Sequence, residues 1–390
     1  MKSVSKIFNL ILCMGLIISL AGCSNSGSST NGTNGSSNAP SGVEGGVKAP
    51  SQGDEPSKSD EASKGGKSSN SNNSSKAEAP KIPTKKSKNS IGIVIDGAPN
   101  AYHTGLYVAL EKGYFKEEGL KKVEIIQSST SRAARSVSSG NNQFGIETQI
   151  NLLDGLGNAG ALEVTAVAAL SQHDNLGIIS VKDAKIKSMS DLMGHKGANV
   201  NTGIKERMLQ KLVEGDDGVF TKVKLIKDNN KAEADIVEAL KKDAEFAWAN
   251  ELTDGTMLKL EKIDYNFIKF SKEDKMLDGY GPLLIANNDY LKNNSDKAKA
   301  FLKAVKKGYE YAAKEPEKAA KILLKNVKGL DEDYIMESQK AISEEYISDA
   351  KSFGVIDSKR WNTYSGYMNY NQIVTKPVPN DTGFSMKYLK

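Results

Sequence analysis

Three short stretches of this chain carry side chains suited to recognising a small molecule. Asp96, Asn100 and His103 follow directly on the apolar run Ile91-Gly-Ile-Val-Ile95. Asp accepts hydrogen bonds only, Asn donates and accepts together, and His does either according to its tautomer. Glu147 and Gln149 flank the end of a second apolar run, Phe144-Gly-Ile146. Trp248, Asn250 and Glu251 form the third stretch, an aromatic plate beside a donor–acceptor amide and an acceptor carboxylate. That set suits a flat heterocycle whose amino edge offers both kinds of group. Each residue also has a purely structural use. Asp96 suits an Asx-turn ahead of Pro99, and His103 suits capping of a first helical turn. Trp248 suits a core, and Asn250 with Glu251 suits an N-cap followed by a first-turn carboxylate. Tyr280, in the glycine-rich Asp278-Gly-Tyr-Gly-Pro282, suits either a lid aromatic or a hinge. Thr202-Gly203 precedes a helical pattern whose free N–H groups suit an anion.

The elements that must hold these residues are legible in the patterning. Ile91–Ile95 is β-branched and stopped by Asp-Gly-Ala-Pro-Asn. From Tyr102 the apolar positions Tyr102, Leu106, Ala109 and Leu110 recur at helical spacing until Gly113. In an open α/β sheet, ligands sit at the carboxyl ends of strands, where Asp96, Asn100 and His103 fall. Strands are expected at 123–126, 143–147, 163–170 and 176–181, with helices at 131–139 and 149–156 between them. This βαβ alternation implies a mostly parallel sheet covered on both faces. A second series follows: strands at 198–200, 223–226 and 245–248, with helices at 204–213 and 232–240. After strand 283–286 the chain reads as helical, with starts near Ser295, Pro316, Asp331 and Asp357. The expectation is an α/β protein with two lobes, a hinge and a cleft between them. Residues 90–186 and 278–390 make lobe 1, discontinuous because the helical tail returns to it, and 187–277 make lobe 2.

The N-terminal residues are of another kind. Lys2 and Lys6 precede an apolar core, Ile7 to Leu20, that ends in Leu-Ala-Gly-Cys23. A span of about 14 apolar residues is short of the roughly 20 that cross a membrane and reads as a signal peptide, residues 1–22. Of the two cysteines, Cys13 lies in the signal, so the mature chain keeps Cys23 alone and has neither a disulfide nor a cysteine metal site. Residues 23–89 are rich in Ser, Gly, Asn, Lys and Pro with scarcely an aliphatic side chain, the composition of a disordered tether. At 5–6 Å × √n such a tether reaches roughly 45 Å. Lys and Arg total 53 against 48 Asp and Glu, but there are only four arginines and the acidic residues are mixed throughout. No basic face is interleaved with aromatics, which argues against a nucleic-acid partner.

Asp96-x-x-Pro99-Asn100-x-x-His103-x-Gly105-Leu-Tyr-Val-Ala109, followed by Glu111-Lys-Gly-Tyr-Phe-Lys-Glu-Glu-Gly-Leu120, resembles the substrate-binding lipoproteins of bacterial ABC importers that collect thiamine pyrimidine precursors. Phe144-Gly-Ile with Gln149, Trp248-Ala-Asn250-Glu251, Tyr280-Gly-Pro-Leu-Leu and Gly354-Val-Ile-Asp-Ser-Lys-Arg-Trp361 extend the resemblance over residues 90–372. It implies a two-lobed periplasmic-binding-protein-like fold of type II. It also implies a heterocyclic ligand held by Asp96, Asn100, His103, Glu147, Gln149, Trp248, Asn250, Glu251 and Tyr280, and a membrane permease as partner; binders of riboflavin, sulfonates and other organic solutes share Gly-Tyr-Phe and the fold, so another organic solute is the alternative ligand. Leu-Ala-Gly-Cys23 resembles a lipobox, which implies an acylated Cys23 and an extracytoplasmic, membrane-anchored protein, expected as a monomer. No cofactor and no metal are expected. The same fold serves a fungal pyrimidine synthase, whose family implies a histidine, iron, a cysteine-rich motif and a glycine-rich phosphate loop. This sequence has His103, His173 and His195 but neither the cysteine motif nor the glycine cluster. Where pyrimidine-binding members carry an aromatic residue after the motif aspartate, this chain has Gly97.

The lipobox reading predicts that Cys23→Ala releases a folded protein into the medium, since the lipid supplies anchorage alone. Retention of the variant on salt-washed membranes would overturn it.

Overall fold

The computed structural model describes residues 86–128, 133–157, 162–200, 202–227 and 235–389. The expected signal peptide, Cys23 and nearly all of the tether lie outside them. Among the described residues, ten strands form two five-stranded sheets. The first holds β1 (Ile91–Asp96), β2 (Val123–Ser128), β3 (Phe144–Glu147), β4 (Val164–Ala169) and β10 (Leu283–Asn287), in the order β2-β1-β3-β10-β4. The second holds β5 (Leu176–Val181), β6 (Lys196–Ala198), β7 (Lys224–Leu225), β8 (Phe246–Asn250) and β9 (Tyr265–Lys269), in the order β7-β6-β8-β5-β9. The pairings β1–β2, β1–β3, β6–β7 and β6–β8 are parallel, as the βαβ pattern requires. The expectation of mostly parallel sheets gives way at β10 and β5, each antiparallel to both of its neighbours. These are the strands that the chain reaches on crossing from the other sheet, so they arrive from the opposite direction.

The crossing falls earlier than the expected boundary at residue 187, because β5 already belongs to the second sheet. Segment 171–175 carries no glycine or proline to mark a domain change. The return crossing, at Gly279–Pro282, is where the glycine-rich sequence places it. Strand β9, which the patterning did not reveal, closes the second sheet. It is only half-buried, so no clean apolar alternation marks it.

Helices Ser295–Lys314, Pro316–Asn326 and Glu332–Glu345 return to the first sheet; Pro316 opens the second and Asp331 caps the third, while Ser295 is the first residue of a helix that no side chain caps. Phe301, Leu302, Val305, Leu323, Ile335 and Ile342 share one core with Ile93, Leu106, Val108 and Phe144. Phe144 stacks on Phe301 with ring centroids 3.9 Å apart. Helix Thr104–Glu111 meets helix Ser295–Lys314 at Gly105 and Gly308. A Cβ on Gly308 would stand 2.1 Å from the Gly105 carbonyl oxygen, and one on Gly105 would stand 2.3 Å from the Tyr309 ring. The motif glycine is therefore a packing requirement, not a flexible joint.

This packing fixes the turn that follows β1. Asn100 caps the short 3-10 helix Ala101–His103, its Oδ1 accepting the Tyr102 N–H at 3.0 Å, while His103 Nδ1 accepts the Asn100 N–H at 3.0 Å. Two buried tyrosines hold the turn from outside: the Tyr309 hydroxyl donates to the Tyr102 carbonyl at 2.8 Å, and the Tyr346 hydroxyl to the Ala101 carbonyl at 2.5 Å. His103 is 4% exposed, and burial lowers its pKa from 6.5 to about 4, so the imidazole is neutral and accepts at Nδ1.

Two predictions follow from this framework. Gly308→Ala should lower stability by about 1–3 kcal/mol through overpacking, read as a lower thermal midpoint, and an unchanged midpoint would contradict the close approach. The His103 contribution runs with pH. Its folded pKa lies below its unfolded value, so the stability present above pH 6.5 is lost as pH falls towards about 4, on the order of 3 kcal/mol in all. His103→Gln keeps an acceptor at that capping position and does not titrate. Urea denaturation at pH 7 and 4.5 should therefore show a smaller acid loss in the variant, and an equal loss in both proteins would contradict the assignment.

Candidate functional site

The two sheets are joined by paired crossing segments. Asp174 N–H donates to the Gly279 carbonyl at 2.9 Å, Gly281 N–H to the Ser171 carbonyl at 3.1 Å, and Leu170 N–H to the Pro282 carbonyl at 2.8 Å. One buried cluster runs across them, including Val94, Ile150 and Tyr280 together with Trp248, Phe246 and Ile178 of the second sheet. Charges brace the same place. His173 Nδ1 lies 2.8 Å from Asp278 Oδ1 and its Nε2 3.5 Å from Asp349 Oδ1. Arg360 pairs with Asp349 and donates to the Gln172 carbonyl at 2.8 Å. The Asp278 hydrogen bond raises the His173 pKa above its ordinary value, against the opposing effect of burial.

Of the residues singled out in the sequence, two polar stretches meet. The Tyr102 hydroxyl, carried by the turn after β1, lies 3.1 Å from Asn250 Nδ2 and 3.3 Å from Asn250 Oδ1. Asn250 ends β8 and caps a π-helical turn, Glu251–Gly255, its Oδ1 also accepting the Leu252 N–H at 2.9 Å. Single π-turns of this kind recur at functional sites. Glu251 donates its N–H to the Asn175 carbonyl at 3.0 Å, which ties the turn to the first crossing segment. Burial raises the Tyr102 pKa well above its ordinary value, so the hydroxyl stays protonated.

The other expected residues are placed differently. Asp96 ends β1 opposite Ser128 of β2. Asn100 and His103 form the capping box, so the capping reading describes the contacts they make. Glu147 Oε1 accepts from the Thr148 N–H at 3.0 Å and from Asn151 Nδ2 at 3.1 Å, at the start of helix Gln149–Leu156. Gln149 is 1% exposed and accepts the Tyr280 N–H at 2.7 Å. Tyr280 is not a lid. It is buried, its hydroxyl accepts the Asp357 N–H at 2.6 Å and its ring lies under Arg360, as befits a hinge residue. Trp248 is 4% exposed and packs on Phe270 at 4.5 Å between centroids, with Lys205 Nζ 5.5 Å from its ring. It serves as a core residue in the middle of β8, which runs on to Asn250 and not, as the patterning suggested, only to Trp248. Gly97 has a φ of +68°, a conformation that any side chain adopts only with strain, and a Cβ there would meet nothing within 4 Å. The missing aromatic thus coincides with a left-handed backbone.

Two residues that the patterning did not suggest stand here. Asp174, on the first crossing segment, is 9% exposed, and burial pushes its carboxyl up to about 7. Its only sequence signal is the polar run His173-Asp174-Asn175 between two apolar strands. Tyr364, in helix Ser358–Tyr370, is 1% exposed, and its hydroxyl has no hydrogen-bond partner among the described residues. In sequence it is one tyrosine among several.

A family described as NMT1/THI5 like matches residues 100–319. The formylaminopyrimidine-binding protein of Halalkalibacterium halodurans is 26% identical over 301 residues, which cover 76% of this chain and 89% of that protein. The 4-amino-5-hydroxymethyl-2-methylpyrimidine phosphate synthase THI11 of Saccharomyces cerevisiae is 26% identical over 255 residues, covering 60% of this chain and 70% of the enzyme. Among solved structures, the periplasmic aliphatic sulphonate binding protein SsuA of Escherichia coli superposes with a TM-score of 0.58 at 12% identity, over 78% of this chain and 99% of that one. That likeness shows the fold, a periplasmic-binding-protein fold of two mixed sheets flanked by helices. With its match spanning more than half of the 390 residues, the chain belongs to the NMT1/THI5-like family.

Proposed function

We propose that this protein is an extracytoplasmic solute-binding lipoprotein, anchored through Cys23, that captures a thiamine-pathway pyrimidine or an enlarged relative of one and presents it as a monomer to an ABC permease. The observation that carries the reading is the meeting of Tyr102 with Asn250, residues 148 apart in sequence, at the carboxyl ends of β1 and β8. Strand ends of this kind are where α/β sheets hold ligands. The name of the Halalkalibacterium halodurans relative supports a pyrimidine as the solute.

In this reading Asp96, Asn250 and Glu251 supply hydrogen bonds to the edge of the heterocycle, and Asn100 with His103 hold the turn that presents Tyr102. Glu147 and Gln149 order the helix beside the hinge, and Tyr280 steadies the hinge. Trp248 backs the cleft from the second sheet. The space beside Gly97 admits a bulkier substituent than an aminomethyl group. Binding without chemistry is the preferred reading because His103 is committed to its capping bond and the sequence has cysteine only at positions 13 and 23.

Calorimetry against a panel of aminopyrimidines, thiamine, riboflavin, sulfonates and amino acids should show a pyrimidine bound in preference to the rest. A sulfonate or amino acid bound more tightly than every heterocycle would sink the ligand class. Asn250→Ala should weaken pyrimidine binding by about 1–3 kcal/mol through the loss of paired polar groups, and unchanged affinity would remove Asn250 from the site.

A further inference from the structure

Beneath the hinge, the structure buries polar atoms that find no hydrogen-bond partner among the described residues. Gln149 Oε1 accepts the Tyr280 N–H at 2.7 Å, which fixes the carboxamide and leaves its Nε2 without a partner. The Tyr364 hydroxyl is likewise buried and without a partner. The two side chains meet over Gly279, where a Cβ would stand 2.5 Å from Tyr364 Cδ2 and 2.7 Å from Gln149 Oε1. Gly279 is itself tied to Asp174 by the N–H bond to its carbonyl. The Asp174 carboxyl lies close enough to the hydroxyls of both Tyr364 and Tyr102 to raise their pKa values. One of its oxygens accepts the Leu176 N–H at 3.1 Å.

A buried donor without an acceptor costs stability. Phenylalanine at 364 would fill nearly the same volume without that cost. Two orphaned donors beside a largely buried carboxyl make a set that a ligand completes if it brings acceptors for the donors and a donor for the carboxyl. An aminopyrimidine edge, a ring nitrogen beside an exocyclic amino group, has that alternation. Burial holds the Asp174 pKa at about 7, so at neutral pH the carboxyl exists in both forms and can donate to a ring nitrogen as well as accept from an amino group.

We propose that Asp174 and Tyr364, acting with Gln149, are specificity-determining residues of the cleft, Asp174 reading the amino edge of the heterocycle and Tyr364 donating to one of its acceptors. Tyr364 comes from the C-terminal helix, beyond the residues 100–319 that match the family. The proposal rests on the pyrimidine-binding reading above.

The test is calorimetry on the full chain with 4-amino-5-hydroxymethyl-2-methylpyrimidine and its analogue lacking the 4-amino group, alongside thermal melts. The wild type should prefer the amino compound by at least about tenfold. Tyr364→Phe should bind it at least about tenfold more weakly while melting at or above the wild-type temperature, because an orphaned hydroxyl has been removed. Asp174→Asn should lose most of the discrimination between the two compounds. Wild-type affinity and discrimination in both variants would overturn this proposal and leave the pyrimidine reading standing. A lower melting temperature of Tyr364→Phe at unchanged affinity would assign the hydroxyl to a structural water and overturn its role. No binding of either compound by the wild type would overturn the pyrimidine reading and this proposal with it.

Discussion

The backbone pairing of two short crossing segments is the constraint on which this structure depends. Between Leu170 and Asp174 on one side and Gly279 and Pro282 on the other, three hydrogen bonds join the only described places where the chain passes between sheets. Buried N–H and C=O groups must find partners, so two segments crossing side by side satisfy each other, and the sheets inherit their relation from that pairing. It also explains why β5 and β10 run against their neighbours: each begins where a crossing ends.

Everything that bears on recognition is positioned from that pairing or from the turn after β1. The turn is fixed by its own capping box and by Tyr309 and Tyr346, which reach it from helices more than two hundred residues away in sequence. The Gly105–Gly308 contact lets the helix that carries Tyr309 approach closely enough to do so. Tyr102 is thereby held at the rim of one sheet, where it meets Asn250 from the other. The residues with the most capacity to respond to a ligand, Asp174, Gln149 and Tyr364, lie beside the crossing itself. Under the proposed function, a binding event there would act directly on the joint.

The site divides between residues whose roles are local and residues whose roles are not. Asn100 and His103 stand three apart at a helix start, and their mutual capping follows from that spacing alone. Glu147 beside Thr148 and Asn151 is a similar case. For such residues the simplest structural reading describes the contacts, and a polar cluster in sequence is not by itself evidence of a ligand. Trp248 makes the same point for aromatics: two residues before the carboxyl end of its strand, it turns onto Phe270 and the core.

From sequence alone, the α/β class, the strand order along the chain, the exact span of helix Gln149–Leu156 and the starts of the C-terminal helices were legible, because hydrophobic period and capping residues are local signals. So were the motif turn and the return crossing at Gly279–Pro282, both marked by glycine and proline. The outward crossing at 171–175, the mixed character of the sheets and strand β9 were not, since strand direction and edge pairing depend on partners far away in the chain. Asp174 and Tyr364 were invisible for the same reason. An isolated aspartate or tyrosine carries no pattern, and it becomes distinctive only when tertiary packing buries it, withholds a partner from its hydroxyl or shifts the pKa of its carboxyl.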